Sequence, residues 1–219
     1  MYNIQTLNKI AACGTDLMDK SKYNVAEDIS NPAAILVRSA SMHEMELGED
    51  LIAIARAGAG TNNIPIDKCS EKGIVVFNTP GANANAVKEL VIAALLISGR
   101  KVSAAIDWAK TLKGKGDEVG KLVEKGKSQF AGPEIKGKKL GVIGLGAIGA
   151  LVANAAVGLG MEVYGADPFL SVVGALHLST KVKYVKSNKE IFENCDYITV
   201  HVPLTPDTKH MINAETISS

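Results

Sequence analysis

The chain has 219 residues, of which 47% are hydrophobic and 21% charged, a balance typical of a folded α/β protein. A formal net charge of +1 gives no electrostatic case for binding nucleic acid or an anionic membrane surface. The longest apolar run, 90–97, is far shorter than the roughly 20 residues of a membrane-spanning helix. The three cysteines are scattered without metal-ligand spacing, so we expect a reduced, cytoplasmic chain that binds no metal.

The first part of the chain alternates short aliphatic runs with stretches that can form helices. Runs bounded by turn residues predict buried parallel strands at 33–38, 51–57 and 74–78. The intervening stretches 41–49 and 67–72 are expected to be crossover helices. This order favours a small sheet in which all strands are parallel.

A long helix is predicted next, from residue 83 to about residue 111, and its middle is apolar nearly all round. Such a helix must be covered on every side, either by its own domain or by a second subunit. We expect a homodimer formed through it. Residues 113–127 are rich in Gly and Lys without a stable period, and they are predicted to be an exposed link.

A second series of strands and helices starts at Lys139. Strands are predicted at 140–143, 162–166 and 197–202, with a weaker segment at 182–185. A helix is expected over 148–159, and another ends near Cys195. Asn213 is expected to cap the start of one more helix.

Residues 144–149 read Gly-Leu-Gly-Ala-Ile-Gly, which fits the G-x-G-x-x-G pattern between a predicted strand and a predicted helix. The first glycine makes a tight turn, the second lets a pyrophosphate approach, and the third lets helix and strand pack closely. The start of the helix then offers N–H groups and a partial positive charge to the phosphates. The pattern alone is weak, because glycine-rich turns also occur in methyltransferases and as plain packing.

Asp167 lies at the end of the next predicted strand. There its carboxylate could accept hydrogen bonds from a ribose and repel a 2′-phosphate, which favours NAD over NADP. We therefore predict an NAD-binding Rossmann domain over residues 96–219, incomplete on its C-terminal side. The alternative is a structural turn followed by a solvated aspartate.

Four segments of the sequence occur in the same order in the D-2-hydroxyacid dehydrogenases, and the chain resembles that family over roughly 35–218. The segments are Arg-Ala-Gly-Ala-Gly-Thr-Asn-Asn-Ile at 56–64, Phe-Asn-Thr-Pro-Gly-Ala-Asn at 77–83, 142–149, and His-Val-Pro-Leu-Thr at 201–205. The resemblance is closest to members that oxidise 3-phosphoglycerate to 3-phosphohydroxypyruvate in serine biosynthesis. It implies an NAD-dependent oxidoreductase with a small flavodoxin-like substrate-binding domain over residues 1–95.

The resemblance also implies which residues contact a small anionic substrate. They are Arg38 and Ser39 at its phosphate, Arg56, Ala57 and Gly58 at its carboxylate, and Asn83 from the cleft. A guanidinium can bind either anionic group through two hydrogen bonds, so the arginines suit this role. The alternative for Arg38 is a surface ion pair at the end of a strand.

Nine residues are implied as contacts of NAD, and they fall at four parts of the cofactor. They are Ala59 at the nicotinamide end, Gly144, Gly146, Ala147, Ile148 and Gly149 at the pyrophosphate, Asp167 at the ribose, and Val202 and Pro203 at the adenosine. Many relatives have arginine where this chain has Ala147, so one charged contact is absent. His201 matches a position on the adenosine side, and we expect a structural role for it rather than acid/base catalysis.

The catalytic arginine, its partner glutamate and the acid/base histidine of the family are expected beyond Ser219. We therefore expect no catalytic residue within the 219 residues, and no turnover by this chain alone. Two alternatives stay open. One is another 2-hydroxy acid, such as glycerate, glyoxylate or lactate, and the other is a non-catalytic NAD(H)-sensing protein of the same fold.

Overall fold

The computed structural model describes residues 1–218, which divide into two compact units. The first unit ends at Asn83 and the second begins at Ala84. The domain boundary expected at residues 95–96 falls inside the helix Ala84–Arg100, all of which belongs to the second unit. No helix within residues 1–218 has the length and apolar character needed to cross a bilayer.

The first unit is built on a five-stranded parallel sheet in the order β2-β1-β3-β4-β5. Its strands are β1 (Tyr2–Leu7), β2 (Tyr23–Ala26), β3 (Ala34–Val37), β4 (Ala53–Arg56) and β5 (Val75–Asn78), and its helices are α1 (Ala12–Thr15) and α2 (Ile66–Glu71). This is the flavodoxin-like order of a doubly wound sheet, so the predicted fold is confirmed. The order reverses between β1 and β3, and ligands of such sheets bind outside the carboxyl ends at this point.

The core of this unit depends on side chains of β3 and its neighbour β4. Ile35, Val37 and Ile54 are at most 1% exposed, and each contributes about 1.5–3 kcal/mol through burial. The helix expected over 41–49 is absent, and the segment forms turns and bends instead. Met42 and Leu47 are both buried in the core, and residues five apart do not share one face of a helix.

The second unit has a four-stranded parallel sheet in the order β8-β7-β6-β9. Its strands are β6 (Lys139–Ile143), β7 (Glu162–Ala166), β8 (Lys183–Tyr184) and β9 (Tyr197–Val200). Counted within the unit, this is the 3-2-1-4 order of a dinucleotide-binding sheet, which confirms the predicted Rossmann-type fold. Val142, Val152 and Val163 are fully buried between the sheet and the helix that follows the glycine turn.

Seven helices of this unit lie among the described residues. They are α3 (Ala84–Arg100), α4 (Val102–Lys110), α5 (Val119–Gly126), α6 (Ala147–Gly158), α7 (Val172–Leu176), α8 (Asn188–Asn194) and α9 (Ala214–Ser218), with 3-10 turns at Gly116–Glu118 and Lys127–Phe130. The N-cap expected for the last helix is confirmed, because the Oδ1 of Asn213 accepts from the N–H of Thr216 at 3.1 Å.

The exposed link predicted for 113–127 is wrong, because this stretch contains α5. Val119, Leu122 and Val123 are half-buried and lie at helical spacing, a short apolar stripe hidden among the Gly and Lys residues. Gly126 lies under the ring of Trp108, where any Cβ would overlap the indole. Packing against this aromatic side chain therefore orders a stretch whose composition favours a flexible link.

The single long helix predicted over 83–111 is also wrong, since it is interrupted at Lys101. This residue has φ 50° and ψ 34°, in the left-handed region that disfavours side chains with a Cβ. Its Nζ donates to the carbonyl oxygen of Gln129 at 3.4 Å. The break separates α3 from α4.

Replacing Lys101 with glycine should stabilise the protein, because glycine adopts this backbone conformation without strain. We expect Lys101→Gly to raise the free energy of unfolding by about 0.5–1 kcal/mol over Lys101→Ala, which matches the loss of the side chain. Urea denaturation followed by circular dichroism measures the difference. A continuous helix would give the opposite sign, since glycine in a helix interior costs about 1 kcal/mol relative to alanine.

Candidate functional site

The candidate substrate residues of the first unit follow β3 and β4 at the carboxyl edge of the sheet. Strand pairing places Val37 opposite Arg56, so Arg38 and Arg56 emerge beside each other. The Nε of Arg56 donates to the carbonyl oxygen of Arg38 at 3.0 Å. The Nη groups of Arg56 make no hydrogen bond to a described residue, so they can bind a carboxylate.

The two arginines differ in burial but share a lack of acidic partners. Arg38 is exposed and Arg56 is half-buried. Neither forms an ion pair with any residue from 1 to 218, so the surface ion pair considered for Arg38 is not observed there. Both positive charges are therefore uncompensated at this edge and suit an anionic ligand.

The loop after β4 is held by the strand that follows it. Thr79 donates its N–H to the carbonyl oxygen of Gly58 at 3.0 Å, and Asn78 donates through Nδ2 to that of Ala59 at 2.7 Å. A Cβ on Gly58 would lie 2.7 Å from the Nη1 of Arg56, so a larger residue here would force the guanidinium to move. Glycine at this position therefore lets the loop lie close to the arginine side chain.

The remaining predicted residues of the first unit are less constrained. Ala57 and Ala59 are exposed on the same loop, and Ser39 is exposed directly after Arg38. Asn83 is exposed in the turn before α3, and its side chain makes no hydrogen bond within residues 1–218. The contacts expected for Ala59 and Asn83 stay predictions.

In the second unit, the three glycines of the turn have different structural requirements. Gly144 has φ 90°, and a Cβ there would lie 2.6 Å from the carbonyl oxygen of His201. A Cβ on Gly149 would overlap the carbonyl oxygen of Gly144. Around Gly146, by contrast, nothing lies within 4 Å of an added Cβ. The fold requires the first and third glycines, whereas the second leaves open space beside the backbone for a bound group.

The start of α6 lies directly after this open position. Gly146 is the N-cap, and no side chain accepts a hydrogen bond from the first turn. Ala147 is exposed and Ile148 is half-buried against the core. The N–H groups of this turn are therefore suited to phosphate oxygens, which fits the pyrophosphate of NAD.

Asp167 directly follows β7, and its carboxylate is fixed beside the glycine turn. Its Oδ2 accepts from the N–H of Leu145 and its Oδ1 from that of Phe169, both at 2.8 Å. The side chain is half-buried and hydrogen-bonded, so it is not simply a solvated aspartate. Each carboxylate oxygen can accept more than one hydrogen bond, which leaves capacity for ribose hydroxyls.

The segment after β9 lies against the same turn. Val202 is half-buried, and its Cγ1 would lie 2.9 Å from a Cβ added to Gly144. Pro203 is exposed, and its carbonyl oxygen accepts from the Oγ1 of Thr208 at 2.6 Å. Because β9 neighbours β6, these residues occupy the point where the strand order of the second sheet reverses.

His201 is half-buried at this point and bonded to the sheet. Its N–H donates to the carbonyl oxygen of Ile143 at 2.8 Å, and its Nε2 lies 2.9 Å from the Oγ1 of Thr199. Burial lowers the pKa of His201 below its ordinary value, which favours the neutral imidazole. These bonds support the structural role expected for this histidine.

Two of the cysteines show the opposite of nucleophilic activation. Burial raises the pKa of Cys69 and of Cys195, so both thiols stay protonated at neutral pH. Across residues 1–218, no group of three or more His, Cys, Asp or Glu side chains could hold a metal ion. The described residues suit an anion at the edge of the first sheet and, separately, a dinucleotide at the edge of the second.

Two asparagines at the substrate edge were missed by the sequence analysis. The Oδ1 of Asn8 accepts from the N–H groups of Ser39 and Ala40, and the Nδ2 of Asn63 donates to the carbonyl oxygen of Ala40. Asn8 follows β1, a strand that was not predicted. The alternation of apolar Tyr2 and Ile4 with polar neighbours could have indicated that strand, and with it the turn at Asn8.

Comparison with known proteins gives a family for the second unit. Residues 92–219 match the family model described as D-isomer specific 2-hydroxyacid dehydrogenase, NAD binding domain. The D-3-phosphoglycerate dehydrogenase of Methanocaldococcus jannaschii is 36% identical over 201 residues, which cover 90% of this chain and 36% of that protein. The hydroxypyruvate reductase of Thermotoga maritima is 38% identical over 187 residues, covering 84% and 56%. This chain thus spans only about a third to just over half of such relatives.

Solved structures extend the likeness over both units. An NAD⁺-bound 3-phosphoglycerate dehydrogenase of Entamoeba histolytica has a TM-score of 0.74 at 29% identity, covering 99% of this chain and 68% of that one. A D-lactate dehydrogenase of Aquifex aeolicus in complex with NAD and lactic acid has a TM-score of 0.71 at 24% identity, covering 99% and 65%. The second likeness shows the fold alone.

Replacing Gly146 with alanine should weaken NADH binding without destabilising the fold. The added Cβ would contact no other residue, but it would occupy the open space proposed for the pyrophosphate. We expect Gly146→Ala to lower NADH affinity about tenfold, or about 1.4 kcal/mol, measured by fluorescence titration. Its free energy of unfolding should stay within about 0.5 kcal/mol of wild type. Gly149→Ala is the control, since its Cβ overlaps backbone and should cost on the order of 2 kcal/mol of stability. Unchanged NADH binding by Gly146→Ala would show that the pyrophosphate does not approach this turn.

Proposed function

This chain belongs to the D-isomer specific 2-hydroxyacid dehydrogenases, and from that premise we propose that it serves the oxidation of 3-phosphoglycerate to 3-phosphohydroxypyruvate in serine biosynthesis. The cofactor of the family domain is NAD, which accepts the hydride from the substrate carbon when bound. The residues of this chain hold the substrate and the cofactor. All three cysteines are free thiols, which fits the cytoplasmic location that we propose with it.

The single observation that carries the substrate proposal is the link between the two arginines. Arg56 donates through Nε to the carbonyl oxygen of Arg38, so two strand ends present two guanidinium groups without acidic partners among residues 1–218. A 2-hydroxy acid with a phosphate at its far end carries two anionic groups. We assign Arg56 to the carboxylate through its guanidinium, with Ala57 and Gly58 beside it in the loop, and Arg38 with Ser39 to the phosphate. The N–H groups of Ala57 and Gly58 donate to the carbonyl oxygens of Val37 and Arg56, so the guanidinium is the donor available to the ligand.

The second unit supports the cofactor half of the proposal. Open space at Gly146 and the uncapped start of α6 suit the pyrophosphate. Asp167 is oriented by two backbone N–H groups and has acceptor capacity for the ribose. We assign Val202 and Pro203 to the adenosine side, since they follow β9 at the point where the strand order reverses.

A second candidate is a 2-hydroxy acid without a phosphate. The observation in its favour is the 38% identity to a hydroxypyruvate reductase, which is as high as the identity to the phosphoglycerate enzymes. In that case Arg56 and its loop would bind the carboxylate as before, whereas Arg38 would have no anionic partner in the substrate. The contribution of Arg38 to binding therefore separates the two candidates.

Removing the Arg38 guanidinium should weaken a phosphorylated ligand selectively. A lost charged hydrogen bond costs about 1.5–3 kcal/mol, so we expect Arg38→Ala to lower the affinity for 3-phosphoglycerate about 10- to 100-fold. The affinity for D-glycerate should fall less than about threefold. Calorimetric titration in the presence of NADH measures both. Lys22→Ala, which removes an exposed cation paired with Asp19, should change neither affinity. An equal loss of affinity for 3-phosphoglycerate and for D-glycerate would favour the substrate without a phosphate.

We also propose that the protein is a homodimer formed through the helical region 83–111. Leu95 is buried, and Val91 and Ile92 pack on the core of the second unit, so this unit covers one side of α3. On the uncovered side, Leu90 is 69% exposed and Ile97 is 46% exposed. Apolar side chains grouped in this way on one helix are typical of an interface.

A charge placed on the exposed side of α3 should dissociate the dimer. We expect wild type to sediment as a dimer and Leu90→Glu to shift towards monomer at micromolar concentration, since an unpaired carboxylate would be buried at the interface. Analytical ultracentrifugation gives the measurement. Leu17→Glu adds the same charge at an 86% exposed leucine of the first unit and should leave the dimer intact. A monomeric wild type would rule this interface out.

A further inference from the structure

We propose that Asn8 is a positioning residue for the anion-binding loop formed by Arg38, Ser39 and Ala40. We propose further that its lack of charge allows this loop to receive an anionic substrate. The inference rests on the proposed function, because it concerns the same edge of the first sheet. It adds a residue that follows a different strand from either arginine.

Asn8 holds the loop through two backbone donors. It lies directly after β1, at the reversal of strand order between β1 and β3. Its Oδ1 accepts from the N–H of Ser39 at 2.9 Å and from that of Ala40 at 2.6 Å. With φ 67°, Asn8 adopts a left-handed conformation that Asn, Asp and Gly tolerate better than other residues. Both its backbone and its side chain therefore suit this position.

The carbonyl groups of the loop are held by other side chains. Arg56 donates through Nε to the carbonyl oxygen of Arg38 at 3.0 Å, and the buried Asn63 donates through Nδ2 to that of Ala40 at 2.8 Å. Three side chains, those of Asn8, Arg56 and Asn63, thus hold the backbone of the loop through hydrogen bonds. The guanidinium of Arg38 remains exposed and available to a ligand.

The chemistry of Asn8 has a direct consequence for the ligand. Successive backbone N–H groups commonly bind anions, but those of Ser39 and Ala40 are occupied by the amide oxygen of Asn8. A phosphate at this edge must therefore use the Arg38 guanidinium and the Ser39 hydroxyl. An aspartate at position 8 would accept the same two hydrogen bonds, and more strongly. It would also place a negative charge beside Arg38, which would repel the phosphate and compete for the guanidinium.

Two variants of Asn8 separate these effects. Asn8→Asp keeps the acceptor and adds a charge, whereas Asn8→Gly keeps the left-handed backbone and removes the acceptor. Asn24→Asp is the matched control, because Asn24 lies on β2 opposite Asn3, at the other end of β1, and adds the same charge there. Each protein is titrated with 3-phosphoglycerate and with D-glycerate in the presence of NADH, at low and at high ionic strength, and unfolded in urea.

We expect Asn8→Asp to unfold at a urea midpoint no lower than that of wild type and to bind 3-phosphoglycerate about tenfold more weakly, with less than threefold change for D-glycerate. Added salt should reduce the difference in 3-phosphoglycerate affinity between Asn8→Asp and wild type, because the introduced carboxylate and the phosphate are partly exposed charges that salt screens. Asn8→Gly should lower the urea midpoint and weaken 3-phosphoglycerate binding by an amount that added salt does not narrow. Asn24→Asp should bind both ligands like wild type.

The outcomes distinguish this inference from the proposed function. If wild type binds 3-phosphoglycerate and both Asn8 variants bind it equally well, the role of Asn8 is overturned while the function stands. A loss in Asn8→Asp that is equal for the two ligands, or unaffected by salt, also overturns it. If wild type binds NADH but neither hydroxy acid, the proposed substrate class fails and the inference fails with it.

Discussion

In both units every strand runs parallel to its neighbours, so the residue that follows each strand emerges at the same edge of its sheet. This constraint places Arg38, Arg56 and Asn8 together in the first unit. It also places the glycine turn, Asp167 and Val202 together in the second. Both sets of candidate binding residues therefore depend on strand order, which the buried aliphatic side chains of the strands stabilise.

Polar side chains at these edges form hydrogen bonds with the backbone even without a ligand. One carboxylate oxygen of Asp167 accepts from the N–H of Leu145 in the glycine turn, and the other accepts from the N–H of Phe169. The Nε of Arg56 donates to the carbonyl oxygen of Arg38 in the neighbouring loop. Each keeps part of its hydrogen-bonding capacity for a ligand. A side chain that is already oriented loses less conformational entropy on binding, so the same bonds that stabilise the loops also favour affinity.

Much of the fold could be predicted because its strands are continuous aliphatic runs. Runs of this kind predicted β3 to β7 and β9, and buried residues lie in β3, β4, β6 and β7. β1 and β2 were missed because they alternate apolar and polar residues towards one edge of the sheet, where Ile4 alone is buried. Two predictions failed where packing outweighed composition. The helix expected over 41–49 is absent, and Met42 and Leu47 of this segment lie in the core; the link expected over 113–127 contains a helix, and Gly126 lies beneath Trp108.

The sequence by itself determined the glycine turn, the aspartate after the next strand and the order of the family segments. Each of these is read from residue types and their order along the chain, so none of them requires knowledge of the fold. Only the tertiary structure decided that Asn8 accepts a hydrogen bond from Ser39, 31 residues away, and that Arg56 donates one to Arg38 at the end of the neighbouring strand. Such hydrogen bonds form because sheet pairing brings distant strand ends together, and no local pattern of residues encodes that meeting.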